Sequence, residues 1–193
     1  TQIGKKCHSG CEIFKIMGDC IMPREGIFTR VLKGGVISEG DEIQVVKRPM
    51  RAAVLTASDS GYAGEREDLS GPAIQAMLEE NGYEVVHTIL LPDNREMLAK
   101  EMARIADEHV AELLLTTGGT GFSPRDCMPE ATMDIAERMV PGIPEAMRAY
   151  SMTITPRAML SRAAACIRKS TLIINLPGSP KAVKESLGYI LPS

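Results

Sequence analysis

Two regimes of hydrophobic patterning divide the chain near residues 46–51. Beyond that point, short apolar runs of strand length alternate with stretches whose apolar residues recur every three or four positions. Residues 52–56 read as a short, buried-type strand. Residues 71–81 place Ile74, Met77 and Leu78 at helical spacing and stop at Gly82, a residue suited to a helix end. A strand follows over 84–91, then a helix over 94–107 with Leu98, Met102 and Ile105 on one face. Residues 112–116 predict another strand, and 128–139 a helix with Ala131, Ile135 and Met139 in line. The last pair is a strand over 171–175 and a helix over 179–190 that aligns Val183, Leu187 and Ile190. Alternating strands and helices predict an α/β fold of three layers, a mostly parallel sheet with helices on both faces. Sheets of this kind bind ligands beyond the carboxyl ends of their strands.

The first 48 residues read differently. Gly10, Gly18, Gly26, Gly34, Gly35 and Gly40 punctuate them at short intervals, which suits small β-elements. A turn at Glu39-Gly40-Asp41 feeds a predicted strand over 42–46, and Lys47-Arg48-Pro49 reads as a linker. A segment this short struggles to build an independent core. Residues 1–48 are therefore expected to be the tail of a larger β-rich domain, and residues 51–193 a domain of their own. Charge changes at the same place: 8 basic less 6 acidic residues gives +2 before it, and 14 less 19 gives −5 after it, together the net −3 of the chain.

Composition removes whole classes. Hydrophobic residues at 44% and charged residues at 24% are globular values, unlike those of a disordered chain. No apolar run approaches the roughly 18–20 residues that cross a bilayer. Residues 1–10 are polar, so no secretory signal is expected. The negative net charge, an aromatic content of 4% and the absence of Trp argue against nucleic-acid binding. Five cysteines, three of them Cys7, Cys11 and Cys20, are an odd number and no disulfide scaffold. A reduced, cytoplasmic protein is the expectation, and a start at Thr1 suggests a processed or excerpted piece of something longer. His8, His87 and His109 have no metal-ligand spacing, and Cys7-x-x-x-Cys11 lacks the second pair of a zinc site.

Four loops at predicted strand ends carry the candidate chemistry. The first runs from Thr56-Ala57-Ser58-Asp59 to Asp68-Leu69-Ser70-Gly71-Pro72, where Ser70 can cap a helix with Pro72 in its first turn. Hydroxyls and exposed N–H groups at such a helix start suit an anion, although an ordinary capped loop would look the same. In the second, Asp93 lies between strand and helix, as an N-cap or as a site carboxylate. The third, Thr116-Thr117-Gly118-Gly119-Thr120-Gly121 followed by Asp126, packs three glycines into four residues, which lets backbone N–H groups face a ligand closely. Thr117 and Thr120 add hydroxyls, and a carboxylate such as Asp126 beside a phosphate cradle is a partner for Mg²⁺ or a ligand donor. Cys127 in this loop reads as packing, not as a nucleophile. The fourth, Asn175-Leu176-Pro177-Gly178-Ser179-Pro180-Lys181, turns at Pro-Gly and caps a helix with Ser179. Between Glu145 and Glu185 there are seven cations (Arg148, Arg157, Arg162, Arg168, Lys169, Lys181, Lys184) and no acid. The stretch reads as the wall of a polyphosphate site or as a solvated basic face.

At these loops the sequence resembles a known family. Residues 116–121 (TTGGTG), 124–132 (PRDCMPEAT), 159–162 (MLSR) and 174–180 (INLPGSP) closely resemble the MogA/MoaB family, which includes the G domain of gephyrin. The resemblance runs from about residue 51 to the end. Residues 20–35 resemble the C-terminal end of a MOSC domain. The family resemblance implies a MogA/MoaB-like fold and adenylylation of molybdopterin by Mg-ATP, giving molybdopterin-AMP and pyrophosphate. It implies that Asp93 and Asp126 are the acidic residues of catalysis, with Asp126 serving Mg²⁺ or the pterin and Asp93 in a supporting role. Thr56, Ser58, Asp59, Asp68, Ser70, Gly71, Thr117 and the Gly118-Gly119-Thr120-Gly121 loop would bind nucleotide or pterin phosphates. Ser161 would bind substrate or nucleotide, and Asn175, Pro177, Gly178 and Ser179 would hold the pterin side. Arg162, Arg168 or Lys169 would offset phosphate charge. The same resemblance implies a homotrimer, with hexamers among MoaB-like relatives, and contact with a molybdate-inserting partner. A molybdopterin binder or scaffold without robust turnover is the alternative.

Overall fold

A computed structural model describes residues 2, 3, 27, 28, 34–36, 38, 40–42 and 48–192. The chain falls into two compact units, Thr1–Val46 and Lys47–Ser193. In the first, Gln2 and Ile3 pair antiparallel with Phe28 and Ile27. A turn closes where the Asp41 N–H donates to the Ser38 carbonyl at 3.2 Å, with Gly40 at φ +92°. Residues 43–46 of the predicted strand over 42–46, most of the MOSC-like segment, and Cys7, Cys11 and Cys20 lie outside the described residues.

The second unit is built on six strands: β1 (Arg51–Ala57), β2 (Glu84–Leu91), β3 (Leu113–Thr117), β4 (Arg138–Met139), β5 (Ala165–Arg168) and β6 (Thr171–Leu176). Their spatial order is β2-β1-β3-β6-β5-β4. The first four run parallel, and β5 and β4 complete the sheet antiparallel. Successive side chains along β1 alternate between two layers, as the pleat requires. Ala53, Leu55 and Ala57 pack with Leu98, Met102 and Ile105 of α3 (Arg95–Asp107) and Met128 and Ala131 of α4 (Met128–Asp134). Ala52 and Val54 face Ile74 and Leu78 of α2 (Ser70–Glu80), Met147 of α5 (Gly142–Met152) and Val183 and Leu187 of α6 (Pro180–Ile190). The short α1 (Asp59–Tyr62) and a 3₁₀ turn (Pro156–Leu160) complete the unit. Each fully buried Leu or Ile contributes about 2 kcal/mol of apolar transfer, so the two layers hold the sheet rigid beneath its loops.

The three-layer α/β architecture is the expected one. The predicted helix over 128–139 is the exception, because α4 ends at Asp134 and Met139 lies half exposed on β4. The cause is a competing ladder: the Glu137 N–H donates to the Ile167 carbonyl and the Val140 N–H to the Ala165 carbonyl, which draws the chain onto β5. Helix α5, the 3₁₀ turn and β5 were not anticipated from the sequence. Among the described residues no helix is long and apolar enough to cross a membrane.

Candidate active site

Strand β1 has β2 on one side and β3 on the other. The chain therefore reverses its direction of winding at β1, the position where open α/β sheets leave a crevice beyond their carboxyl ends. Loops from β1, β2, β3 and β6 open at that end. Ser58 donates its N–H to the Leu91 carbonyl, and its hydroxyl accepts from the Gly61 N–H, shaping α1. Asp59 and Asp93 then clasp each other: the Asp59 N–H donates to Asp93 Oδ2 at 3.2 Å, and the Asp93 N–H to Asp59 Oδ1 at 2.9 Å.

Asp93 does not cap α3. Asn94 does, its side chain accepting from the Met97 N–H at 3.0 Å. The second oxygen of Asp93, Oδ1, is buried with no hydrogen-bond partner among the described residues. It sits beside the glycine loop, since a Cβ built on Gly119 would stand 3.0 Å from it. Burial pushes the Asp93 carboxyl above the ordinary aspartate range, the N–H of Asp59 partly opposes this, and the charges of Asp59 and Asp126 push further.

The glycine loop lies flat on the end of β1. Gly118 and Gly119 have φ of +92° and +63°, and a Cβ on Gly118 would stand 2.2 Å from the Ala57 carbonyl oxygen. Only glycine meets both demands. The other loops are tied to this one. Thr117 Oγ1 donates to the Pro177 carbonyl at 2.6 Å, and Ser70 Oγ to the Gly178 carbonyl at 2.9 Å. Asp68 Oδ1 accepts the N–H groups of both Ser70 and Gly71, so Asp68 rather than Ser70 caps α2, a correction to the sequence reading. Ser179 caps α6 as expected, accepting from the Ala182 N–H at 3.2 Å. Its hydroxyl serves its own helix.

Three adjoining clefts receive the candidate residues. One of about 200 Å³ is lined by Thr56, Ser58, Asp68 and Ser70 from the first loop, and by Asp93, Thr117, Gly118 and Gly178 from the others. Arg66 also lines it; its only sequence signal is a lone cation between Gly64 and the acidic Glu67-Asp68. A second, of about 300 Å³, takes Thr120, Gly121, Ser161 and Pro177. Its other wall brings Arg148 of α5 and Arg157 of the 3₁₀ turn, two of the seven cations, together with Met147, Ser151 and Ser186, which sequence reasoning missed. Ser186 is 1% exposed and its hydroxyl has no partner among the described residues. A third, of about 520 Å³, holds Asp126 and Arg162 with Phe122 and Cys127. Asp126 Oδ2 accepts the Ser123 N–H at 2.8 Å. Cys127 is half-buried, and burial with the nearby charges of Asp93 and Glu130 pushes its thiol up, in keeping with a packing role.

Several expected residues do other work. Asn175 is fully buried; its Nδ2 donates to Thr116 Oγ1 and Thr132 Oγ1, and its Oδ1 accepts the Ala164 N–H, so it is a framework residue under the rim. Arg168 and Lys169 sit where β5 turns into β6, at the amino end of β6 and away from the loops. They pair with Asp107 and Glu137. The run of seven cations is likewise partly neutralised from elsewhere: Glu130 meets Arg162, and Glu185 meets Lys181. Among the described residues no group of three or more His, Cys, Asp or Glu is placed to hold a metal by itself.

Residues 53–193 match the family model described as "Probable molybdopterin binding domain". The chain is 45% identical over 143 residues to a molybdopterin adenylyltransferase of Helicobacter pylori, covering 72% of this chain and 81% of that protein. It is 41% identical over 140 residues to the molybdopterin adenylyltransferase of Haemophilus influenzae, covering 72% and 71%. The solved structure of the molybdopterin biosynthesis enzyme MoaB from Thermus thermophilus superposes with a TM-score of 0.70 at 46% identity, over 74% of this chain and 90% of that one. With a family model matched over most of its length and relatives at 41–46% identity, the chain belongs to the MogA/MoaB family of molybdopterin-binding domains.

Proposed function

We propose that this chain adenylylates molybdopterin, taking Mg-ATP and molybdopterin to molybdopterin-AMP and pyrophosphate. The observation that carries the reading is the meeting of the glycine loop with an aspartate whose inner oxygen has no partner among the described residues, in a chain 45% identical to a protein of that activity.

A phosphate oxygen of molybdopterin forms a bond to the α-phosphorus of ATP, and the bond from that phosphorus to the bridging oxygen breaks. The electron pair leaves with pyrophosphate. The nucleophile is already an anion, so the protein's task is alignment and charge neutralisation rather than proton removal. Gly118 lines the cleft of Thr56, Ser70 and Asp93, Thr120 and Gly121 line the cleft beside it, and the N–H groups of this loop suit the phosphates. The neighbouring cleft has a wall of Pro144, Met147, Leu160 and Pro177 and a buried, unpartnered Ser186 hydroxyl. Such a slot suits a flat pterin with polar edges.

Mg²⁺ fits this donor set. The ion keeps several waters and needs one or two carboxylates besides substrate phosphates, which matches a site with an orphaned Asp93 Oδ1 and no complete cage among the described residues. Asp93, with Asp126 nearby, would hold it, and it would draw off negative charge from the phosphates.

The test is pyrophosphate release. Release should require molybdopterin, Mg²⁺ and ATP together, and Asp93→Asn should lower it. Wild-type turnover in both Asp93→Asn and Asp126→Asn would remove the assignment. Thermal stabilisation by molybdopterin without pyrophosphate release would identify a binder instead.

A further inference from the structure

Arg162 bridges the segment after the 3₁₀ turn and the glycine loop. Its backbone N–H donates to the Thr120 carbonyl at 3.1 Å and its Nε to the Gly121 carbonyl at 2.7 Å. One terminal nitrogen donates to the Asp126 carbonyl at 2.6 Å, and the other makes an ion pair with Glu130 Oε1. The acceptors span the loop from its start to the first turn of α4. Between them the loop closes on itself, with the Asp126 N–H on the Ser123 carbonyl and the Ser123 N–H on Asp126 Oδ2. Glu130 has no second anchor, since its Oε2 is buried without a partner among the described residues. Arg148 steadies the base of the bridge by donating to the Ser161 and Ala163 carbonyls on either side of Arg162.

We propose that Arg162 is a positioning residue. Oriented by Glu130, it holds the Thr120–Asp126 loop in the one shape that presents the loop N–H groups and the Asp126 carboxylate to the phosphates. The proposal rests on the adenylyl-transfer reading for its catalytic consequence. Three of the five guanidinium N–H groups are committed to the protein, in directions set by a planar fork. Lysine, a point charge on a flexible stem, cannot reproduce them.

The experiment compares wild type, Arg162→Lys, Glu130→Gln and the double variant by steady-state pyrophosphate release and by amide hydrogen exchange. Misplacement of the loop should lower kcat of Arg162→Lys about 100-fold and leave KM for ATP and molybdopterin within about twofold, because the groups that touch substrate are still present. Glu130→Gln should lower kcat less, and the double variant should be no worse than Arg162→Lys alone, as expected of residues acting through one contact. Exchange at Ser123 and Asp126 should speed up in Arg162→Lys while β3 and β6 stay protected. A rise in KM with kcat unchanged would make Arg162 a direct phosphate ligand and overturn the proposal, as would unchanged exchange at both amides. If Arg162→Lys does not fold, Glu130→Gln decides: unaltered kcat and loop exchange reject the bridge. If the wild type binds molybdopterin but releases no pyrophosphate, adenylyl transfer falls, and the exchange measurement alone upholds or rejects the bridge.

Discussion

The two ends of one sheet handle acidic side chains in opposite ways. At the amino end carboxylates meet cations: Arg51 with Glu112, Arg168 with Asp107 and Lys169 with Glu137. Hydrogen bonds from those cations hold the Glu112, Asp107 and Glu137 carboxyls below the usual range. At the carboxyl end Asp59, Asp68, Asp93 and Asp126 accept backbone N–H groups, and among the described residues Asp59 alone of the four also meets a cation, the exposed Arg125 at 3.4 Å. There Asp93 is pushed up rather than down. A carboxylate matched to a neighbouring cation is finished as structure. One held by amides, with an oxygen left over, keeps the capacity to meet a ligand cation. The difference separates scaffold from site more sharply than residue type does, because both ends carry acids.

The most severe way to break the carboxyl end is Gly118→Ala. The added Cβ would meet the Ala57 carbonyl oxygen at 2.2 Å with the backbone at φ +92°. Forcing the loop off β1 should cost about 4 kcal/mol and remove turnover. Urea denaturation and pyrophosphate release check the two parts.

Next in size is Asn175→Ala, which probes the layer beneath the rim. Three hydrogen bonds are lost, and Thr116, Thr132 and the Ala164 N–H are left without their partner in a buried setting. A loss of about 3 kcal/mol of stability is expected. The molybdopterin dependence of whatever folded protein remains should not change. A selective loss of molybdopterin affinity at unchanged stability would return Asn175 to the site.

These two residues also show what a sequence can and cannot tell. The glycine loop was legible because three glycines in four residues have few structural uses, and the strand-helix alternation placed it on the correct rim. Asn175 stood in an equally suggestive turn, but its direction depends on the pleat: Thr116 and Asn175 are paired across β3 and β6, and residues of that register point into a helix layer. The cap at Asp68 was misassigned to Ser70 by two residues, within the reach of one side chain. Of the wall formed by α5 and the 3₁₀ turn the sequence showed the cations Arg148 and Arg157 but not the elements that carry them, which bury few side chains, Pro144 and Met147 in α5 and none in the turn. Such thin apolar signals are outweighed by the surrounding basic residues.

Asp93→Asn tests the carboxyl end directly. Turnover should fall about 100-fold, a loss of about 2.7 kcal/mol of transition-state stabilisation. Stability should move the other way. A carboxyl whose folded pKa lies above its unfolded value binds more protons when folded, so wild-type stability falls as pH rises from about 3.9 through the raised value. Asparagine has no such dependence. The variant should therefore gain on wild type as pH goes from 3.5 to neutrality in paired urea melts.

The smallest effect is expected at the amino end, where Lys169→Ala removes one of the cations that sequence reasoning placed near the phosphates. Lys169 lies on the β5–β6 turn with φ +52°, paired with Glu137, so turnover should stay within about twofold of wild type. The pH dependence should carry the opposite sign to that of Asp93. A carboxyl held low in the folded state stabilises above the ordinary glutamate range, and that stabilisation is lost as pH falls through the folded value. Wild type and Lys169→Ala should therefore differ most near neutrality and converge in acid, whereas Asp93→Asn and wild type converge in acid from the other side. If Lys169→Ala instead raised KM for ATP, the amino end would be part of the site and the division between paired scaffold carboxylates and amide-held site carboxylates would fail.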